Sequence, residues 1–200
     1  MTTAAPTHST AKGSTVLSTL DFVRSRFGAD IGDRVLAALP TNMESALRAA
    51  AATDEIPYRS LVELWGAVQS VLAERAPRWA EESGAHSIDS LGVQMYGGIL
   101  RKDTPQAFLT QSISLFRLYY HPGDMEVVDD AAGRAVLRLV AFDPVTRLFC
   151  ARQTGGLRRA IELAGGGGAQ VRHVRCALEG DAFCEWELHW QEPGVKSTPQ

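Results

Sequence analysis

Three cysteines and one histidine near the carboxyl end are the residues whose types and spacing best suit chemistry. They fall as Cys150-x22-His173-x2-Cys176-x7-Cys184. Three thiolates and an imidazole are a common closed set for structural Zn²⁺, tetrahedral with bonds of about 2.3 Å to sulfur and about 2.0 Å to nitrogen. If Gly180 centres a turn, Cys176 and Cys184 face each other across two strands, within about 5.5 Å and close enough to share an ion. His173 and Cys176 are three apart, an odd spacing that a regular strand points to opposite faces. Ligation by both therefore demands a bulge or a turn near Val174. Two other readings of the same residues stay open. Cys176 and Cys184 can form a cross-strand disulfide, or the four can be two buried cysteines, a helix cysteine and a surface histidine.

The elements that must position these residues follow from periodicity. Residues 1–15, mostly Thr, Ala, Ser and Pro, read as a disordered tail. Val16, Leu17, Leu20, Val23 and Phe27 recur at helical steps, with Gly28 as a stop. Ile31 to Leu39 gives a second short helix closed by Pro40. Thr41 with Glu44, and Ser60 with Glu63, have capping-box spacing and open two more helices, through about Ala51 and Leu72. Pro77 and the Gly84 region interrupt the pattern before a further helical face over Ile88 to Leu100. Asp103-Thr104-Pro105 starts a helix that carries Phe108, Leu109, Ile113, Phe116 and Tyr120 on one stripe. The period then changes. Met125–Asp129 and Ala135–Phe142 read as a β-hairpin, and Asp143-Pro144 opens a helix through Leu163 with Gly155-Gly156 as a break. Gly165 to Gly168 ends it. Val171–Leu178 and Phe183–Trp190 make a second hairpin. The expectation is an α+β fold: N-terminal helices, then about four antiparallel strands with helices packed on one face. The chain divides into a tail (1–15), a helical region (16–84), an α+β ligand-binding domain (85–191) and a second tail (192–200).

Cys150 to Trp190, with His-x2-Cys, Glu179-Gly180-Asp181 and Phe-Cys-Glu-Trp-Glu-Leu-His-Trp, resembles the 4-vinyl reductase domain, a family that includes bacterial sensors of phenol-like aromatics. That family is similar in shape to heme-NO-binding domains and trafficking-complex subunits. The resemblance covers about residues 85 to 190 and is motif-specific over the last 40. The helical lead, with Leu39-Pro40 and Ile56-Pro57-Tyr58, also looks like stand-alone myxobacterial proteins of this size. Aromatic-sensing members hold zinc through a helix cysteine followed by Glu-x2-Cys-x7-Cys. The pattern carries over at Cys150, Cys176 and Cys184, and His173 stands in the glutamate's place. What the resemblance implies is a non-catalytic sensory or regulatory module with structural zinc beside a pocket for a small apolar or aromatic ligand. Met95, Tyr96, Phe108, Phe116, Tyr119, Tyr120 and Trp186 are the candidate pocket walls, in keeping with the aromatic lining of such sites. Residues 16–84 are the expected surface for a homodimer or a protein effector. The alternatives are a zinc-stapled scaffold without a ligand, and an enzyme acting on a tetrapyrrole-type vinyl group, which no nucleotide-binding motif supports.

Composition narrows the partners. The chain has 200 residues, 45% hydrophobic and 22% charged, with 20 basic against 23 acidic side chains and a net charge of −3. Such a balance excludes a disordered chain or coiled-coil rod and argues against nucleic acid. No window reaches the roughly 18 apolar residues of a membrane helix, and the first residues lack a signal-peptide core, so a cytoplasmic chain without membrane insertion is expected. An odd count of three cysteines is not a secreted disulfide framework. The run Gly165–Gly168 follows a helix and precedes a strand, the reverse of a phosphate loop. Arg147, Arg152, Arg158 and Arg159 read as a solvated helix face. His86 and His121 fall in no heme-attachment pattern, and Glu126, Asp129, Asp130 and His121 form no nucleophile–base arrangement.

Overall fold

The computed structural model describes residues 9–92 and 104–192, and for 91, 92 and 111–115 the backbone only. Five helices come first: α1 (Gly13–Phe27), α2 (Ala29–Ala37), α3 (Thr41–Ala49), α4 (Tyr58–Leu72) and α5 (Trp79–Ser87), the last running into a wider turn at Ile88–Gly92. Then come α6 (Pro105–Tyr119) and, between two hairpin strand pairs, α7 (Arg147–Leu163). The helix expected over Ile88–Leu100 lies largely outside the described residues.

The main sheet has four antiparallel strands in the order β4-β5-β7-β6, comprising β4 (Asp124–Ala131), β5 (Arg134–Val140), β6 (Gly167–Arg175) and β7 (Cys184–Gln191). Alternation sets its inner face. Leu137 pairs with Trp186 and Leu139 with Cys184, and all four are buried. A smaller sheet, β2-β1-β3, joins Thr10–Lys12 to Glu55–Pro57 and Tyr120–His121. Residues 10–12 of the expected tail are therefore strand, and Gly13–Thr15 are helix. At the other end Glu192 is also held, accepting hydrogen bonds from Gly133 N–H at 2.8 Å and Trp190 Nε1–H at 3.0 Å. Strands of two or three residues are too short to show a period, which is why the sequence reading missed them. The α+β class itself stands, with one core running from Val16 in α1 through Trp65 and Phe149 to Trp190 in β7.

Three helix starts differ from expectation. α3 and α4 begin behind Pro40 and Pro57, with no side-chain cap, so neither capping box forms. α7 begins at Arg147, where Thr146 accepts from Leu148 N–H, rather than at Asp143-Pro144. Thr104 does cap α6, accepting from Ala107 N–H with Pro105 in the first turn.

Gly155-Gly156 does not break α7, and Gly84 sits inside α5. These glycines permit the two helices to touch backbone to backbone. A Cβ on Gly155 would lie 1.9 Å from the Glu81 carbonyl oxygen, and one on Gly84 would lie 2.0 Å from that of Arg152. Nothing larger than hydrogen fits. The contact seats α7 between α5 and the sheet, and that placement gives the helix its two working faces.

Candidate metal centre and adjoining cavity

The face of α7 toward the sheet carries Cys150. Its Sγ lies 3.9 Å from Cys184 Sγ at the start of β7. The edge of a tetrahedron with 2.3 Å zinc–sulfur bonds is about 3.8 Å. Cys176, at the end of β6, and His173 complete the group, with the four ligand atoms all within 4.8 Å of one another. The odd spacing of His173 and Cys176 is resolved as it had to be. The β6–β7 register shifts between His173 and Arg175, and the chain then makes one short turn over Ala177–Glu179. Cys176 N–H donates to Asp181 Oδ2 at 2.8 Å, and Gly180 turns the chain with φ 98°. All three cysteines are free, so the disulfide alternative does not form here.

The chemistry of the donors fits a thiophilic metal ion. His173 Nε2 is buried without a hydrogen-bond partner, a costly state for an imidazole nitrogen unless something else takes its lone pair. The His173 ring is fixed by stacking on Trp186, with centroids 4.7 Å apart and planes 23° apart. Cys150 and Cys184 lie within hydrogen-bond contact of each other. The hydrogen bond from Cys150, the neighbouring His173 and the Ala177 N–H at 3.4 Å pull the Cys184 thiol down to about 4, and the same pairing pushes Cys150 up. Thiolate is the form that ligates. Trp186, expected in the ligand pocket, belongs here instead: it is fully buried, and its Nε1–H donates to Thr154 Oγ1 at 2.9 Å. Thr154 in turn donates to the Cys150 carbonyl at 2.9 Å, so the tryptophan ties β7 to α7 beside the cluster.

An adjacent face of α7 borders a cavity of about 110 Å³ between α1, α5, α6 and α7. Phe108, Phe116, Tyr119 and Tyr120 line it, with Met125, Ile88 and Leu157. Met95 and Tyr96 lie outside the described residues. Sequence reasoning missed the polar part of the wall: Ser14, Thr15 and Ser18 from α1, and Arg152 from α7. Arg152 is only 6% exposed, which corrects its reading as part of a solvated face. Its neighbours do face outward, where Arg147 pairs with Glu179, Arg158 with Glu81 and Arg159 with Asp89. Arg152 donates to Ser83 Oγ and lies over the Trp65 ring, 5.1 Å from its centroid. Burial lowers its pKa to about 10, and the nearby Tyr120 and Tyr58 oppose that shift. Helical spacing carried a signal: Phe149, Arg152, Gly156 and Ala160 recur at three- and four-residue steps on one stripe.

No protein-family model and no curated protein matches the sequence. Solved structures do match. An Fe(II) unliganded H-NOX protein from K. algicida superposes with a TM-score of 0.72 at 14% identity, over 94% of this chain and 100% of that one. An H-NOX protein variant from S. oneidensis in the Fe(II) ligation state gives 0.72 at 16% identity, over 92% and 99%. A structure described as probing heme distortion in the H-NOX family gives 0.68 at 13%. At these identities the likeness establishes the fold, which is that of the H-NOX domain, in line with the expected kinship to heme-NO-binding shapes.

Among the described residues, no histidine or cysteine faces the cavity to hold a heme iron. A heme iron takes an axial His, Cys, Met or Tyr, and of these the described cavity wall holds only Tyr119, Tyr120 and Met125. His86 is engaged with Asp21 at 2.7 Å, His121 and His189 are exposed, and His173 belongs to the cysteine cluster. The cavity is also well below the roughly 300 Å³ at which drug-sized ligand sites begin.

Proposed function

We propose that this chain is a non-catalytic sensory or regulatory module that binds a small, largely apolar molecule in the α1/α5/α6/α7 cavity and is stapled by one structural Zn²⁺ on Cys150, His173, Cys176 and Cys184. One observation carries the reading: a single helix serves both sites. Cys150 faces the donor cluster, while Arg152, Gly156 and Leu157 of the same helix face the cavity. Metal at the cluster holds the cavity wall in place, and ligand in the cavity shifts the packing of the helices around it. Four protein donors form a closed shell, the arrangement of structural rather than catalytic zinc. This is also what the resemblance to the 4-vinyl reductase domain implies. An open cavity speaks against the ligand-free scaffold, because Phe116 lines the space without filling it.

Elemental mass spectrometry on untagged protein, beside a thiol count, tests the metal half. The expected result is one zinc per chain with three thiols that react only after chelation. No metal with three freely reactive thiols overturns it. Titration with hemin checks the other side: the expected outcome is no stoichiometric Soret band.

A further inference from the structure

We infer that the cavity takes a small organic anion, a carboxylate carried on a ring-sized or short-chain apolar body, with the carboxylate seated on Arg152. This rests on the small-molecule reading above and names the ligand's chemistry. Among the described residues the protein buries seven polar or charged side chains, and Ser14, Thr15, Ser18, Ser83 and Arg152 line the cavity or bond to a residue that does. Arg152 brings a full positive charge into this space, and no described carboxylate answers it; its described partners are Ser83, the Trp65 ring and the tyrosines. Asp103 is the one acidic residue outside the described segments. A buried cation with no counter-ion is costly, and the cost falls when a ligand supplies the missing charge. Guanidinium and carboxylate match as a two-point fork.

One further group in the wall favours a ligand with hydrogen-bonding oxygens. Ser14 Oγ, 1% exposed, lines the cavity and has no hydrogen-bond partner. The rest of the wall is mostly apolar, with Ser87 and Gln153 as the further polar side chains. A cavity of about 110 Å³ is near the ~150 Å³ known to hold a benzene ring.

The test is calorimetric titration of the zinc-loaded full chain with benzoate, octanoate, benzamide and phenol. Benzoate or octanoate should bind at least tenfold more tightly than benzamide and phenol, and which of the two wins distinguishes a ring from a chain. Arg152→Met should remove that preference. Ser14→Ala, which deletes an unpartnered hydroxyl and so should melt like the parent, should weaken carboxylate binding severalfold. Equal affinity for benzamide and benzoate, or carboxylate binding unchanged in both variants, overturns the anion while leaving the small-molecule reading intact. Silence with all four probes in folded protein overturns both. Carboxylate binding seen only in Asp103→Asn also overturns the inference, because Arg152 would then have an internal partner.

Discussion

The two faces of α7 bury polar groups in opposite ways. Toward the sheet, Cys150 meets a complete donor set, in which each sulfur and the imidazole have the others within 4.8 Å. Toward the cavity, Arg152 sits among hydroxyls and aromatic rings with its charge unmatched by any described residue. The donor spacing of the first face suits one tetrahedral ion. The second leaves a buried cation without a described counter-ion. Binding at the first should therefore govern stability, and binding at the second should govern shape. A helix that must satisfy both cannot be perturbed on one side without reporting to the other.

The largest effect should come from opening the donor set. Cys184→Ser removes the sulfur 3.9 Å from Cys150 Sγ and the one that accepts from Ala177 N–H. Because the free energy of structural metal binding is folding free energy, the variant should lose on the order of several kcal/mol and its zinc. Chelating the parent should give a similar loss. If the variant and the chelated parent both melt like the zinc-loaded protein, the cluster does not staple the fold, and the contrast between the faces collapses.

Next in size is an adjacent pair of glycines. Gly155 is pressed against Glu81 of α5, so Gly155→Ala must force the two helices apart and should cost about 1–3 kcal/mol or more. Gly156 is one residue on and faces looser ground, where a Cβ would lie 3.5 Å from the nearest atom, the Gly84 carbonyl oxygen. Gly156→Ala should be neutral or stabilise by up to about 1 kcal/mol through helix propensity. It also adds a methyl to the cavity wall and should weaken ligand binding. Denaturant melts of the two variants read both effects. A matching cost at both positions would mean that α7 packs uniformly, with no distinct cavity face.

Trp186→Phe probes the support of the metal rather than its ligands. The aromatic stack on His173 is kept in kind, while the Nε1–H bond to Thr154 is lost. Groups that orient metal ligands typically matter by about 10–100-fold in affinity, so zinc should bind at least about tenfold more weakly by competition with a chelator. Stability of the zinc-loaded form should fall by about 1 kcal/mol.

How much of this was legible in the sequence follows the same division. Cys150, His173, Cys176 and Cys184 stood out because ligation requires rare side-chain types, and the odd spacing of His173 and Cys176 demanded the register shift found beside Arg175. The four-stranded sheet was legible for a similar reason, since alternation is a local property: β5 and β7 bury every second residue. Arg152 was hidden because an arginine among arginines signals solvent. Only the fold brings Ser83 from α5 and Trp65 from α4 around it. Trp186 was misassigned because its burial could be inferred from the strand but its side of α7 could not. α5 is hidden in the sequence because Gly84 reads as an interruption, when its lack of a side chain is what permits the helix to pack.

The smallest predicted effect is also the sharpest test of coupling between the two faces. Thr104 and Thr146 are matched devices: each caps a helix by accepting a backbone N–H, from Ala107 at 3.2 Å and from Leu148 at 3.3 Å. Replacing either with alanine should cost about 1 kcal/mol. They differ in what else holds the first turn. Cys150 lies four residues after Thr146, so metal at the cluster already anchors the start of α7, whereas α6 supplies no ligand. Thr146→Ala should therefore cost less in zinc-loaded protein than after chelation, by about 0.5 kcal/mol, the lower bound of coupling between neighbouring sites. Thr104→Ala should cost the same in both states. Four urea titrations measure the two differences. Equal costs for Thr146→Ala with and without zinc would show that the metal does not restrain the amino end of α7, and then the cavity wall would owe its position to α5 alone.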